Sequence, residues 1–513
     1  MKLLDKFPLH LFLFAAYPVL AMLALNAGEV EAGAALRPMF FALLLAGATL
    51  LVSWGLLGSA AKGAVLASLL VILFFSYGHI YTLIRQDPSL NAAIGRHRYL
   101  VPAAGVLVLA VAIRLRRYPL ADWATRFLNV AALAAFVLAL TQVTWNFRGR
   151  PLQSEGGPWK APSVAGSLSL EGPVRDVYYI ILDGYTRADV LQNVFEYDNS
   201  PFLRSLEELG FVIPESSRSN YSMTYLSIPS SLNMDYVDAL GPPLDPKGKE
   251  SAWLEAAAHH GIVRTTFEDL GYQVVAFETA YGVTDWPDSD LYLTRNPLAL
   301  SDARSSNELS PFEVLLIQTS MGRIVLDGRT WLNRVMRTDI RSPNEQHRER
   351  ILFAFDRLGR IPEIEGAKFA FVHILSPHPP YAFMADGSAV ADPDIFSLGD
   401  YSAHKEGYRN QVAFVNHRVL EAVKAILEAS TVEPIIILQG DHGATGETPE
   451  DRMKILNAYY LPEGGGQEIY PEISPVNTFR VVFNRYFGGD LPLLEDRSYF
   501  SPVEHIFRFE EVP

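Results

Sequence analysis

Pro434-Ile435-Ile436-Ile437-Leu438-Gln439-Gly440-Asp441-His442-Gly443-Ala444 is the stretch from which the rest of the chain can be read. Ile435 to Leu438 is a short, continuous and mostly β-branched apolar run, the pattern of a strand buried on both faces. Gly440 ends it, so Asp441 and His442 fall at the strand's carboxyl end, where open α/β sheets place their ligands. An adjacent carboxylate and imidazole offer one hard oxygen and one nitrogen, a donor pair suited to a divalent transition metal. Alone, the same tripeptide also reads as a turn after a strand. The choice rests on what the other strands end in.

Three further strands are expected. Val177–Leu182 runs into Asp183-Gly184, and Val274–Phe277 and Phe369–Ile374 follow. Helical patterns over Pro201–Leu209, Gln346–Leu358 and Tyr408–Glu428 alternate with them. Strands alternating with helices predict a mostly parallel sheet covered on both sides. Residues 283–345 show no clear period and read as a loop-rich insertion. Asp183 thus sits at a second strand end, although a lone Asp before Gly also serves as a turn residue. Between these ends lies Asn220-Tyr221-Ser222-Met223-Thr224-Tyr225-Leu226-Ser227-Ile228-Pro229-Ser230-Ser231. Thr224 is placed to open a helix there. Its hydroxyl reads either as a cap or as a nucleophile activated by a metal.

The N-terminal third is of a different kind. Residues 1–150 hold 13 basic and 5 acidic residues, a formal +8, against 30 basic and 52 acidic in the remainder, a formal −22. Apolar segments at 8–26, 38–58, 64–84, 99–113 and 127–145 mostly approach the ~20 residues that span a bilayer core. A cleaved signal peptide would account only for the first. About five spans are expected, and the basic cluster Arg114–Arg126 sets the orientation, leaving everything after residue 150 outside the cytoplasm. His79, near the outer end of the third segment, reads as an interfacial histidine bonded to a neighbouring helix or touching a lipid headgroup. The expected organisation is a transmembrane helical bundle over 1–146, a Pro/Gly/Ser-rich linker over 147–173 and an α/β domain over 174–513. So acidic a soluble part argues against nucleic acid. The absence of cysteine excludes disulfides, thiolate metal sites and Cys nucleophiles.

Asp183, the Thr224-Tyr225-Leu226-Ser227-Ile228-Pro229 run and Asp441-His442, together with His373-Ile374-Leu375-Ser376-Pro377-His378-Pro379-Pro380-Tyr381, resemble the alkaline phosphatase superfamily. The likeness is to its sulfatase-like membrane branch, the phosphoethanolamine transferases and lipoteichoic acid synthases. It extends over essentially the whole chain, with specific motifs in four short stretches. It implies an alkaline-phosphatase-like α/β/α sandwich behind the helices, with Asp183, Thr224, Asp441 and His442 binding the catalytic metal. Zn²⁺ and Mn²⁺ suit such donors alike. It also implies that Thr224 is the nucleophile and that His378 contacts the substrate or a second metal. His373 then reads as a structural histidine facing the sheet, and the helix at Tyr408-Arg409-Asn410 as packing beside the site.

The resemblance further implies a phospholipid headgroup donor, phosphoethanolamine or glycerophosphate, and an envelope glycan or lipid as acceptor, at a plasma or inner membrane with the catalytic domain extracytoplasmic. The chain departs from the pattern in lacking disulfides and the further histidine beyond Asp-His-Gly. That stretch offers Glu447, Arg452 and Asn457 instead. Arg452 reads as a phosphate-oxygen ligand or as a surface ion pair with Glu450 or Asp451. Ser227-Ile228-Pro229-Ser230-Ser231 partly resembles the sulfatase Cys/Ser-x-Pro-x-Arg element, which makes Ser227 the alternative nucleophile of a sulfatase or phosphoesterase. A non-catalytic membrane-tethered binding protein is the remaining alternative.

Overall fold

A computed structural model of the chain describes residues 8–27, 30, 32–86, 88–121, 123–147, 161–170, 172–241, 244, 252–295, 310–327, 343–390, 401–444, 448–502 and 505–512. Most of the expected linker, and Glu447, lie outside them. The chain divides into two compact units: residues 1–153 with 303–343, and residues 154–302 with 344–513.

The first unit contains helices α1 (His10–Leu25), α2 (Leu36–Leu57), α3 (Ala60–Gln86), α4 (His97–Arg117) and α5 (Ala124–Phe147). Among the described residues, α2 to α5 are long and apolar enough to cross a membrane, while α1 is a shorter apolar helix of 16 residues. The segment expected at 99–113 is longer than its apolar core suggests, because Arg114, Arg116 and Arg117 continue the last helical turn of α4. Basic side chains there oppose the negative end of the helix dipole. His79 is exposed on α3.

The second unit is built on a six-stranded sheet of order β3-β2-β4-β1-β5-β6. Its strands are β1 (Val177–Leu182), β2 (Gln273–Phe277), β3 (Leu291–Leu293), β4 (Lys368–Ile374), β5 (Ile435–Gly440) and β6 (Asn457–Tyr460). The first five run parallel and β6 closes the edge antiparallel to β5. Each central strand is apolar on both faces. Tyr178, Ile180 and Leu182 pack with Val372 and Leu438 into one core, whereas Val177, Tyr179 and Ile181 pack with Phe369, Phe371 and Ile437 into another. Two cores on alternating residues are what a doubly covered parallel sheet requires.

The helices of the second unit used below are α6 (Thr224–Asn233) and α8 (Tyr401–Ala429), the latter starting seven residues before the expected Tyr408. Between them in sequence lies α7 (Pro311–Thr319), which belongs to the first unit. The expected loop-rich insertion therefore contains β3 and α7, and the part over 303–343, placed with the α/β domain on sequence, clusters with the helices of the first unit.

Candidate active site

Strand register gathers the site. Ile181 on β1 pairs with His373 on β4 and with Gln439 on β5. Side chains two apart share a face, so Asp183, His373 and Asp441 follow the same parity onto one side of the sheet at its carboxyl end. The core on that side includes Ile228 and Leu232 of α6. Its packing aims the helix's first residue, Thr224, at the strand ends. Asp183, Thr224, His373, Asp441 and His442 are all buried.

The Thr224 hydroxyl lies 3.2 Å from His442 Nε2. That nitrogen is 3.6 Å from Asp183 Oδ1 and 3.6 Å from Asp441 Oδ2. His373 Nε2 is 3.8 Å from Asp183 Oδ2. Three of these buried atoms, Asp183 Oδ1, Asp441 Oδ2 and His373 Nε2, have no hydrogen-bond partner. Leaving a buried polar atom unpaired costs about 1–3 kcal/mol, and three such atoms turned toward one another form a cluster that a cation would satisfy. Two overlapping ligand groups result, Asp183–His378–His442 and Asp183–His373–Asp441, each with donor atoms within 4.8 Å of one another. The donor set of carboxylates and imidazoles fits a divalent metal.

The imidazole tautomers agree with this arrangement. His442 Nδ1 donates to the Gly443 carbonyl (2.9 Å) and His378 Nδ1 to the Pro379 carbonyl (2.7 Å), which leaves both Nε2 lone pairs for the cluster. His373 Nδ1 pairs with the Thr284 hydroxyl at 2.9 Å. Thr284 can pass its own proton to the Tyr281 carbonyl or Thr279 hydroxyl, so it accepts from His373 and frees that Nε2 as well. Burial disfavours the charged form of all three rings: His442 is pushed down to about 3 and His373 to about 4, and His378 is also lowered. The carboxylates divide. Burial and the charge of Asp441 raise Asp183 well above the usual carboxylate range. In Asp441 burial pulls upward too, but His442, His373 and the Thr224 hydroxyl outweigh it and the group is lowered. Two acidic groups this close do not ionise together without a cation between them.

Surrounding residues hold the ligands in place. Gly184 N–H donates to Asp441 Oδ1 (3.0 Å), and His378 N–H to the Asp183 carbonyl (3.0 Å). On α8, Tyr408 donates to the Gly184 carbonyl (2.7 Å) and accepts from Thr186 N–H (3.0 Å). Gln411, one turn on, donates to the carbonyls of Pro377 and His378. Arg452 is partly buried, with Nε donating to the Ser222 carbonyl at 3.1 Å. Burial lowers its pKa, and Asp441 and Asp183 oppose that shift. Gly443 makes this placement possible: a Cβ there would meet the carbonyls of Asp451 and Lys454 at 2.7 Å.

The geometry thus brings Asp183, Thr224, His378, Asp441 and His442 together, with Arg452 alongside. Ser227 is not turned into the cluster; its hydroxyl donates to the Asp441 carbonyl (2.6 Å) and ties α6 to the end of β5. His373 was read from sequence as structural and joins the ligand group as well. The signal was available: a histidine in an apolar strand, on the face of Phe369 and Phe371, has to find a polar partner.

No protein-family model matches the chain, and no curated protein does. Among solved structures, the chain is similar to the integral membrane lipooligosaccharide phosphoethanolamine transferase A from Neisseria meningitidis, at 13% identity and a TM-score of 0.40, over 94% of this chain and 95% of that one. The C-terminal periplasmic domain of EptC from Escherichia coli, in complex with Zn, is similar at 12% identity and a TM-score of 0.42, over 69% of this chain and 96% of that one. The lipoteichoic acid synthase LtaP from Listeria monocytogenes is similar at 11% identity and a TM-score of 0.39, over 65% of this chain and 81% of that one.

Proposed function

We propose that this chain is a membrane-anchored, metal-dependent transferase that moves a phospholipid headgroup through a phospho-threonine on Thr224 to an acceptor hydroxyl of the cell envelope. The observation behind this reading is the buried Thr224 hydroxyl at 3.2 Å from His442, beside three unpartnered ligand atoms at one sheet face. Asp183, Asp441, His442 and His373 would hold a divalent metal, Zn²⁺ or Mn²⁺, which supplies Lewis acidity toward the phosphoryl oxygens and lowers the hydroxyl's pKa.

The chain's own groups do the rest. Thr224 Oγ forms the new bond to phosphorus as the bond to the diacylglycerol oxygen breaks. The proton lost by Thr224 ends on that alkoxide, with His378, neutral at rest and with Nε2 free, as the carrier. In the second half, the acceptor hydroxyl gives up its proton, takes the phosphoryl group and restores Thr224. Arg452 offers a fork of donors to the non-reacting phosphoryl oxygens. The membrane-crossing helices tether this site to the bilayer that contains the donor, and the acidic second unit takes part outside the cytoplasm.

The test incubates the purified full chain with labelled phosphatidylethanolamine or phosphatidylglycerol, followed by mass spectrometry of the peptide containing Thr224. The expected result is a headgroup-phosphate adduct on Thr224 with one lipid and release of diacylglycerol. No adduct with either, alongside sulfate release from an aryl ester, would replace this reading with the hydrolase. Purified protein without bound metal would favour a binding protein. Ser227's bond to the Asp441 carbonyl weighs against it as the nucleophile of the sulfatase alternative.

A further inference from the structure

Beside the ligand cluster, the second unit builds a wall that the chemistry above does not use. The helix Ala252–His259 runs along α6: Leu254 shares a core with Leu226, and Ala258 shares another with Ile228 and Leu232. The two helices therefore lie side by side in the same sense, and Glu255 falls at the end of α6 that carries Thr224. The same helix meets the single turn Gly282–Thr284, where His259 Nε2 donates to the Gly282 carbonyl (2.6 Å). Glu255, one helical turn before His259, is on the same face, and a Cβ on Gly282 would lie 3.2 Å from its Oε1. At the far end of that turn, the Thr284 hydroxyl holds His373.

Two tyrosines complete the wall. Tyr225 follows Thr224, and its ring meets that of Tyr281 edge-on, with 5.5 Å between centroids and 77° between planes. Tyr281 precedes Gly282, and its ring centroid is 6.5 Å from that of His373. Glu255, Tyr225 and Tyr281 are all half-buried, so each keeps a surface that a ligand can reach. Glu255 makes no hydrogen bond or ion pair among the described residues. Acidic groups further along the same stretch are treated differently: Arg264 holds both Glu268 (2.8 Å) and Asp288 (3.0 Å). The fold pairs those carboxylates and leaves the one nearest the nucleophile without a cation.

We propose that Glu255, Tyr225 and Tyr281 form a subsite for an ammonium group on the donor, which makes phosphoethanolamine rather than glycerophosphate the headgroup transferred. The proposal rests on the transferase reading and adds the residues that choose its substrate. One carboxylate is too few hard donors for a metal ion. A carboxylate beside two aromatic rings suits an organic ammonium, which gains the full charge and the ring quadrupoles together. An ethanolamine headgroup places its ammonium two carbons from the phosphate oxygen, close enough to meet this wall while phosphorus faces Thr224. The hydroxyls of a glycerol headgroup carry no charge and gain only hydrogen bonds there.

The test has two arms, both on the purified, metal-loaded full chain. In the first, soluble phosphoethanolamine and glycerol phosphate are titrated calorimetrically. Phosphoethanolamine is expected to bind about tenfold more tightly, and Glu255→Gln, or Glu255→Ala should that variant not fold, to erase the difference. Tyr281→Leu is expected to narrow it by about threefold. In the second arm, kcat/KM is measured with phosphatidylethanolamine and with phosphatidylglycerol, and Glu255→Gln is expected to lower the ratio of the two by about tenfold. Equal binding of the two soluble probes, or a preference that survives Glu255→Gln, would overturn the subsite. A binding preference that Glu255→Gln removes, with no transfer from either lipid, would keep the subsite and remove the transferase reading.

Discussion

The carboxyl end of the sheet and the segment 310–327 both bring polar side chains into buried surroundings, but by opposite routes. At the sheet, the backbone does the assembly. Parallel pairing puts Ile181, His373 and Gln439 in one row, and the next residues of that parity, Asp183 and Asp441, converge without any long-range coincidence of side chains. In the helical unit, the assembly depends on side chains that find partners more than 200 residues away, such as Arg37 with Glu313 and His97 with Asp327. A site written into strand register tolerates change in its surroundings and fails when its own residues change. A docked segment should behave the other way round.

The sharpest test of that contrast is Thr224→Ala. On the proposed mechanism the change should lower transfer by roughly a thousandfold or more with the melting temperature of the second unit moved much less, because the Thr224 hydroxyl contacts only site residues such as His442 among those described. Steady-state transfer and a thermal melt on one preparation suffice. Substantial residual transfer would point to another nucleophile.

Metal removal comes next. With Asp183 and Asp441 facing each other, the cluster without a cation keeps acidic groups that oppose each other, so chelation should destabilise the second unit. At a metal concentration 100 times Kd the expected loss is about 2.7 kcal/mol. Thr284→Val refines the measurement, since it removes the hydroxyl that fixes His373. Removing such an orienting partner should weaken metal binding by about 10–100-fold, read by competition with a fluorescent chelator. Unchanged affinity would return His373 to a purely structural role.

For the helical unit, Gly78→Val inserts side-chain atoms where the Gln318 carbonyl sits 2.2 Å from a Cβ. Overpacking of this kind costs about 1–3 kcal/mol. Limited proteolysis should then cut within 310–327 while transfer by the detached chemistry persists. If the segment stays protected, its docking does not depend on close approach at Gly78.

These contrasts also explain what was legible in advance. Asp183, Thr224, Asp441 and His442 stand where an apolar run or a helix begins or ends, and such boundaries are local. The four central strands were visible for the same reason, since each is a continuous apolar run. β3 and β6 were not, because Leu291–Leu293 is three residues long and half-buried and Asn457–Tyr460 mixes a polar residue with tyrosines. The hydrogen bond expected of His373 is present, to Thr284, but its place beside Asp183 depends on the register of β4 against β1, which no single stretch contains. Residues 311–319 lack a strong amphipathic stripe because helices of another segment cover them on more than one side. Arg452 depended on Gly443 letting two loops touch.

The smallest expected effect probes the boundary between assembly and chemistry. Tyr408 touches no ligand atom, yet its hydroxyl joins the Gly184 carbonyl to Thr186 N–H and so fixes the turn that follows Asp183. Tyr408→Phe leaves the ring in the core beside Phe195 and deletes only those two bonds. The buried carbonyl and N–H lose a partner each, a cost of about 1–3 kcal/mol. If the tyrosine merely stabilises the fold, lowering the assay temperature should restore kcat in full. If it positions Asp183, kcat should remain reduced at temperatures where the variant is wholly folded, with KM for the lipid unchanged and metal affinity lowered in step. A temperature series of kcat on folded protein separates the two, because stability is recovered on cooling and misplacement of a carboxylate is not.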